Sequence, residues 1–203
     1  MPSRSAASRV ARATLILRAL FAAVAAMVVT FVQERTGIFS VAVFAAFAIS
    51  TGVVFAVDAA LTRTSAVAKG ALAAVHVIAG ALSILLPLAP AHRFHAVLLG
   101  WAVVAGVIEL AAGIARRRDG SAWARDAITV GALTLLLAAV TLVVSPDYAL
   151  DYFVEEAKQE FTLTGTIIGV GLFGGWAAIV AVYLGIGAVS PAPKTASLTK
   201  DPA

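Results

Sequence analysis

The chain has 203 residues, of which 61% are hydrophobic and only 13% are charged. Soluble domains carry roughly a quarter of charged residues, so this chain has too little polar surface to cover a globule in water. It has no cysteine, which excludes disulfides, thiol catalysis and cysteine-based zinc sites. The net charge is +4, but the basic residues lie mainly in the loops on one side of the predicted spans. This distribution is typical of membrane topology and argues against a nucleic-acid partner.

Six apolar stretches are long enough to cross a bilayer, which takes about 20 residues of helix. The first is 13–32, provided that Arg18 is tolerated inside it. The other five contain no Asp, Glu, Lys or Arg apart from Glu109, and they cover 36–57, 70–91, 96–115, 127–146 and 161–192. Continuous apolar runs predict helices, because barrel strands alternate. We therefore predict an all-α polytopic fold with six transmembrane helices in three hairpins, at 13–61, 70–115 and 126–188.

The Lys and Arg residues concentrate on one side of the predicted bundle. Twelve lie on the side of the termini, and only Arg35, Arg93 and Lys158 lie on the other. The positive-inside rule therefore predicts that both termini lie in the cytoplasm. Residues 1–12 form the basic cytoplasmic N-terminus, 13–189 the transmembrane domain and 190–203 a disordered cytoplasmic tail. The alternative, a cleaved signal peptide at the start, leaves five spans and agrees less well with the basic tail.

The segment 146–160 is the one sizeable external loop, and it is strongly acidic. Its apolar residues recur at steps of three and four: Leu150, Phe153, Val154, Ala157 and Phe161. This spacing predicts an amphipathic helix at the outer interface. An acidic, solvated face is the simpler interpretation of its charge, and cation binding is the alternative.

Two of the predicted hairpins share a short sequence pattern. "STGVVFAVDAALTR" (50–63) aligns with "VAGVIELAAGIARR" (104–117) at an offset of 54, so that Gly52 matches Gly106. Gly175 in "FGGWAAIVAVYLGI" is a weaker match from the third hairpin. The alignment predicts a triplicated hairpin whose repeats run in the same direction, whereas many transporters use inverted repeats.

Four ionisable residues from four different helices lie within or at the edge of the spans: Arg18, Asp58, His76 and Glu109. Charged groups at this depth normally face the bundle and pair with one another. The structural hypothesis pairs Arg18 with Asp58 and His76 with Glu109, although Glu109 also has Arg18 within its predicted reach. The functional hypothesis makes His76 and Glu109 a pH-sensitive pair or one step of a proton path, because histidine titrates near physiological pH.

The sequence contains no catalytic motif and no pattern for a cofactor. His92 and His95 lie three residues apart at the outer face, but a metal site needs a third ligand nearby. We therefore predict no catalytic, cofactor or metal residues. Membrane lipids are the expected partner, with a homo-oligomer as a further option.

Two stretches carry a family resemblance. In "AGVIELAAGIARRRDGSAW" (105–123) a helix end with glycine leads into a basic loop, a Gly-Ser pair and a tryptophan, and "TLTGTIIGVGLFGG" (162–175) begins the last helix. Together with six spans in about 200 residues, they resemble the HdeD-like acid-resistance membrane proteins of bacteria. The resemblance implies a non-enzymatic membrane protein that acts in acid or general stress tolerance. A small transporter or proton-conducting protein that uses His76 and Glu109 is the alternative.

Overall fold

The computed structural model describes residues 4–62, 65–119, 122–156 and 158–190. It contains six long helices, and each includes a segment long and apolar enough to cross a membrane. They are α1 (Arg4–Phe31), α2 (Gly37–Leu61), α3 (Ala66–Leu85), α4 (Pro90–Ala115), α5 (Ala122–Val143) and α6 (Gly165–Val189). The predicted all-α polytopic fold is confirmed. Helix α1 begins inside the segment predicted as a separate basic N-terminus, and the predicted disordered tail lies outside the described residues from 191 onward.

Local sequence explains where the three even-numbered helices begin. The Thr36 hydroxyl accepts a hydrogen bond from the backbone N–H of Phe39 at 3.2 Å, and Thr164 does the same for Ile167 at 3.3 Å. Threonine at this position satisfies an N–H group that has no partner within the helix. Helix α4 begins with Pro90, whose fixed φ and missing N–H suit a first helical position.

The six helices form a closed ring around a central triangle. The most extensive packing joins α2 to α3, α4 to α5 and α1 to α6, whereas neighbours within one predicted hairpin pack less extensively. Helices α2, α4 and α6 also contact one another, so they form the triangle, and α1, α3 and α5 each pack along one of its sides. Both ends of the described chain lie at one face, here called the termini face. The opposite one, which carries a β-hairpin, is the hairpin face.

The triangle is built from layers in which α2, α4 and α6 each contribute one buried residue. Equivalent positions are offset by 54 residues between α2 and α4, and by 75 between α4 and α6. The layers, from the hairpin face inward, are Ser40, Phe94 and Gly169; Phe44, Leu98 and Phe173; Phe47, Trp101 and Trp176; Thr51, Ala105 and Val180; and Phe55, Glu109 and Leu184. The arrangement supports the triplicated hairpin and gives the bundle a pseudo-three-fold axis.

Glycines bring the outer helices close to the triangle at matching places. A Cβ added to Gly52 would lie 2.8 Å from Val77 on α3, and one added to Gly106 would lie 2.9 Å from Leu135 on α5. Gly175 has no such contact, since a Cβ there would meet nothing within 4 Å. Gly174 instead approaches Val29 on α1, at 2.6 Å from such a Cβ. The sequence match of Gly175 with Gly106 is therefore wrong.

The external acidic segment is a β-hairpin, so the prediction of an amphipathic helix is wrong. Strands β1 (Ala149–Val154) and β2 (Gln159–Thr164) pair antiparallel, with Tyr152 opposite Phe161. The hairpin lies between α5 and α6, and this insertion accounts for the larger offset in the third repeat. The spacing of Phe153, Val154 and Phe161 fits a helix, but Leu150, Tyr152 and Val154 alternate along β1 and lie on the same side as Phe161 and Leu163 of β2.

Candidate intramembrane polar site

An ion pair joins an outer helix to the central triangle. The guanidinium of Arg18 on α1 donates to the Glu109 carboxylate on α4, with 2.6 Å between Nη2 and Oε1. Both side chains are buried, with 8% and 5% of their surface exposed. The Arg18 guanidinium also lies 4.4 Å from the ring centre of Phe55 on α2, in cation–π geometry. Arg18 therefore holds α1 against two helices of the triangle.

A second ion pair lies where α2 passes into α3. The Lys69 ammonium donates to the Asp58 carboxylate and to the Thr62 hydroxyl, both at 2.9 Å. The side chains of Lys69 and Asp58 are 5% and 2% exposed. The predicted pair of Arg18 with Asp58 is therefore wrong, because each of these residues has another partner. Lys69, which counted as a loop residue in the sequence, lies in the first turn of α3.

His76 on α3 does not form the predicted pair with Glu109. Its Nδ1 lies 2.8 Å from the carbonyl oxygen of Leu72, which only accepts, so Nδ1 carries the hydrogen. In the neutral ring, Nε2 is then left as an acceptor. The ring is surrounded by aromatic side chains, with centroids 5.3 Å from Phe55 and 5.4 Å from Trp101.

A small cavity lies on the pseudo-three-fold axis beside these groups. About 10 Å³ is open to the centre of a water-sized sphere, close to what one water molecule needs. All six helices contribute to its wall, which consists of Arg18, Ala22, Phe47, Thr51, His76, Trp101, Ala105, Glu109, Val130, Thr134, Trp176, Val180 and Leu184. The cavity therefore brings together three of the four predicted site residues; Asp58 lies outside it.

Three polar atoms of the cavity residues have no hydrogen-bond partner among the described residues. They are the hydroxyl of Thr51 and the indole nitrogens of Trp101 and Trp176, all of them fully buried. These three residues were not among the predicted site residues, because a threonine or tryptophan is common in a membrane span and carries no charge. The available signal was the offset of 54, which aligns Phe47 with Trp101; Trp176 joins them only at the offset of 75 that the structure shows.

Aromatic rings close the cavity toward the hairpin face. Phe44 contacts the rings of Phe94, Trp101 and Phe173 edge to face, with centroids 5.3 to 6.3 Å apart. Phe44, Leu98 and Phe173 are fully buried. The central triangle is therefore apolar in the layer of Phe44, Leu98 and Phe173.

The histidines at the hairpin face lie apart from the cavity. His92 Nε2 is 3.0 Å from the Asp147 carboxylate, in a pair exposed to solvent. Within the described ranges no three His, Asp or Glu side chains converge as ligands for a metal ion.

Comparisons of the chain with protein-family models, with curated proteins and with solved structures found no match. The chemistry of the site therefore has to be argued from its own geometry. That geometry consists of two closed ion pairs, an enclosed histidine and a water-sized polar cavity inside a membrane-spanning bundle.

Proposed function

We propose that this chain is a non-enzymatic, multi-pass protein of the bacterial cytoplasmic membrane that acts in acid or general stress tolerance. It is proposed to be of the HdeD-like type, with both termini in the cytoplasm. The resemblance of 105–123 and 162–175 to that family supports the physiological role. The membrane location rests on the six apolar helices.

One observation supports a structural, non-conducting role: the charged side chains inside the bundle are paired with one another. Arg18 with Glu109, and Asp58 with Lys69, form buried pairs that each tie two helices together. A substrate path needs polar groups that remain open to a solute, and the layer of Phe44, Leu98 and Phe173 makes the central triangle apolar toward the hairpin face. These features support a bundle built to keep its shape.

The orientation is supported by the surviving charge asymmetry. Arg18 and Lys69 are buried in ion pairs, so they do not contribute to a basic surface. Leaving them out reduces the sequence count for the side of the termini from 12 to 10, against three for the other side. The excess still favours a cytoplasmic termini face.

Survival of acid shock by a deletion strain tests the physiological role. We expect the strain to lose viability after acid shock and to regain it with the wild-type gene. The Glu109→Gln variant should also restore survival if it reaches the membrane in normal amounts, because the proposed role needs the bundle and not a titrating carboxylate. A deletion strain that survives as well as its parent would contradict the proposal.

A second candidate, proton conduction, is favoured by one observation: His76 and the Arg18–Glu109 pair line the same polar cavity. Proton flux into sealed liposomes separates the two candidates, with wild type measured beside Glu109→Gln and His76→Ala. The structural proposal expects all three to match empty liposomes, while both variants melt at lower temperature. Conduction by the wild type that both variants abolish would establish the second candidate instead.

A further inference from the structure

We propose that the central cavity is a binding site for a single water molecule, held by groups from all three hairpins. The starting observation is that the fully buried N–H groups of Trp101 and Trp176, and the Thr51 hydroxyl, have no partner within the described part of the chain, while their residues line one cavity. Burying a polar group without a hydrogen bond is costly, and ordered water commonly supplies the missing bond.

The size of the cavity fits one water and little else. Its open volume of about 10 Å³ is near the minimum for one water centre. An organic solute would have to displace the side chains of the tryptophan layer, which are 3% and 7% exposed and packed edge to face at 5.2 Å.

The balance of donors and acceptors selects water over a halide ion of similar size. The indole groups of Trp101 and Trp176 only donate, and they can occupy the two lone pairs of a water oxygen. His76 Nε2 and the hydroxyl oxygen of Thr51 accept, and they can take the two water hydrogens. A halide would satisfy the indoles but would leave His76 Nε2 without a donor and would be repelled by the Glu109 carboxylate.

The bound water connects parts of the chain that share no direct hydrogen bond. Thr51 comes from the first hairpin, His76 and Trp101 from the second, and Trp176 from the third. Their equivalents in the other repeats include Ala22, Val130 and Phe47, which carry no polar side-chain atom. The polar residues at the cavity therefore differ from one repeat to the next, although all of them line the same cavity on the axis.

Indole N–H resonances test the proposal in the intact protein. The chain has three tryptophans, and Trp123 lies outside the cavity, so the Trp123→Phe variant assigns the remaining two signals to Trp101 and Trp176. In protein labelled with 15N-tryptophan and held in lipid nanodiscs, we expect both signals to show cross-relaxation with water. Absence of cross-relaxation from either signal would overturn a bridging water.

Two further arms identify the occupant and its place. Exchange of chloride for bromide should leave both indole signals unmoved; a shift of both would assign the site to a halide and overturn the proposal. The Ala105→Val variant adds two methyl groups to the cavity wall and should abolish both water contacts while the protein remains folded. Retained contacts in that variant would place the water elsewhere and refute the site.

An independent observation concerns the β-hairpin. From it we infer that one of the two sides of this β-hairpin lies on the lipid–water interface. Strand register puts Leu150, Tyr152 and Val154 on the same side as Phe161 and Leu163. The rings of Tyr152 and Phe161 stack at 6.1 Å and are 47% and 42% exposed. A two-stranded hairpin is marginally stable alone, so this exposed apolar side needs a covering.

The apolar side of the hairpin continues into a lipid-facing groove. Leu163 lines a cavity of about 530 Å³ between α5 and α6, together with Leu136, Val140 and Ile167. On the other side of the hairpin, Ala149 and Thr164 line a separate cavity with Glu34 and Arg35. The apolar side therefore faces the lipid, and the opposite side faces the loop between α1 and α2.

The chemistry of the two sides fits a lipid surface. Aromatic residues are enriched at the boundary between headgroups and acyl chains. The opposite side carries Asp151, Glu160 and Thr162, with Phe153 as its one large apolar residue, and Thr162 donates to Asp151 at 2.6 Å. Anionic headgroups repel carboxylates, so the acidic side is better placed away from the membrane.

The absence of cysteine makes this orientation directly measurable with single-cysteine spin labels. Phe161→Cys reports on the apolar side and the neighbouring Thr162→Cys is its matched control. The protein is placed in vesicles of phosphatidylethanolamine and phosphatidylglycerol, where oxygen concentrates in the lipid and a nickel chelate stays in the water. Oxygen should relax the label at 161 more strongly than the nickel chelate does. At 162 the nickel chelate should have the stronger effect. Equal nickel access at both positions would place the hairpin in water, and shielding of 161 from both reagents would indicate a second protein copy; either result overturns the inference.

Discussion

Removing the charge of Glu109 tests the role of the buried ion pair most directly. The Glu109→Gln substitution keeps the shape of the side chain and leaves the Arg18 guanidinium without its counter-ion. Because Arg18 and Glu109 are only 8% and 5% exposed, solvent does little to screen the loss. The free energy of unfolding should therefore fall.

The size of the loss follows from what remains around Arg18. Breaking a buried pair by removing one partner typically costs about 3–5 kcal/mol. The cation–π contact with Phe55 at 4.4 Å is unaffected by the substitution and contributes up to about 2 kcal/mol when desolvated. We therefore expect a loss of about 3 kcal/mol, at the low end of the range. The double variant Arg18→Met with Glu109→Leu should lie within about 1 kcal/mol of wild type, because it buries no charge.

The assay is reversible unfolding in mixed micelles, with sodium dodecyl sulfate as the denaturant and tryptophan fluorescence as the readout. Glu34→Gln serves as a control, since Glu34 is an exposed carboxylate at the hairpin face and should have no effect. A loss below about 1 kcal/mol for Glu109→Gln would be the value of a solvated pair and would refute the reasoning.

Three further predictions concern packing, the second ion pair and the hairpin. Gly131→Ala should lower the melting temperature and cost about 1–3 kcal/mol, because the new Cβ would lie 2.5 Å from the backbone nitrogen of Leu110, whereas Gly175→Ala should not lower it; equal melting curves would contradict this. Lys69→Met should cost about 3–5 kcal/mol in the micelle assay, and adding Asp58→Asn should recover most of it; no recovery would show that packing, not charge, is lost. Replacing 147–162 by a short turn should leave the melting temperature almost unchanged, since the exposed His92–Asp147 pair contributes at most about 1 kcal/mol; a large drop would make the hairpin part of the bundle.

The spans were predictable because their physical cause is local. A helix in lipid satisfies its backbone within one segment, so about 20 apolar residues determine it without reference to the rest of the chain. The partners of the buried charges were not predictable in the same way. Lys69 reaches Asp58 across the turn between α2 and α3, and a long side chain near a helix end is counted as a loop charge by any sequence rule.

The pairing of His76 failed for a related reason. Its Nδ1–H is taken by Leu72 on the same helix, four residues earlier, and Arg18 reaches Glu109 from a helix 91 residues away in sequence. The first contact lies within one helix, and the second was the alternative partner given for Glu109; choosing between His76 and Arg18 for Glu109 requires the ring order of the helices. The repeat pattern came close, since an offset of 54 places Ala22, His76 and Val130 at equivalent positions, but the hairpin insertion shifted the third repeat.

The ring order has a consequence for how the chain is assembled during synthesis. Because the extensive contacts join successive hairpins and α1 closes against α6, no hairpin completes its own packing when it leaves the ribosome. Arg18 enters the bilayer before Glu109 has been made, and α1 meets its main neighbour only when the last helix is inserted. Until the later helices are inserted, Arg18 on the first helix has no counter-ion. Its long side chain can meanwhile keep the guanidinium near the lipid headgroups.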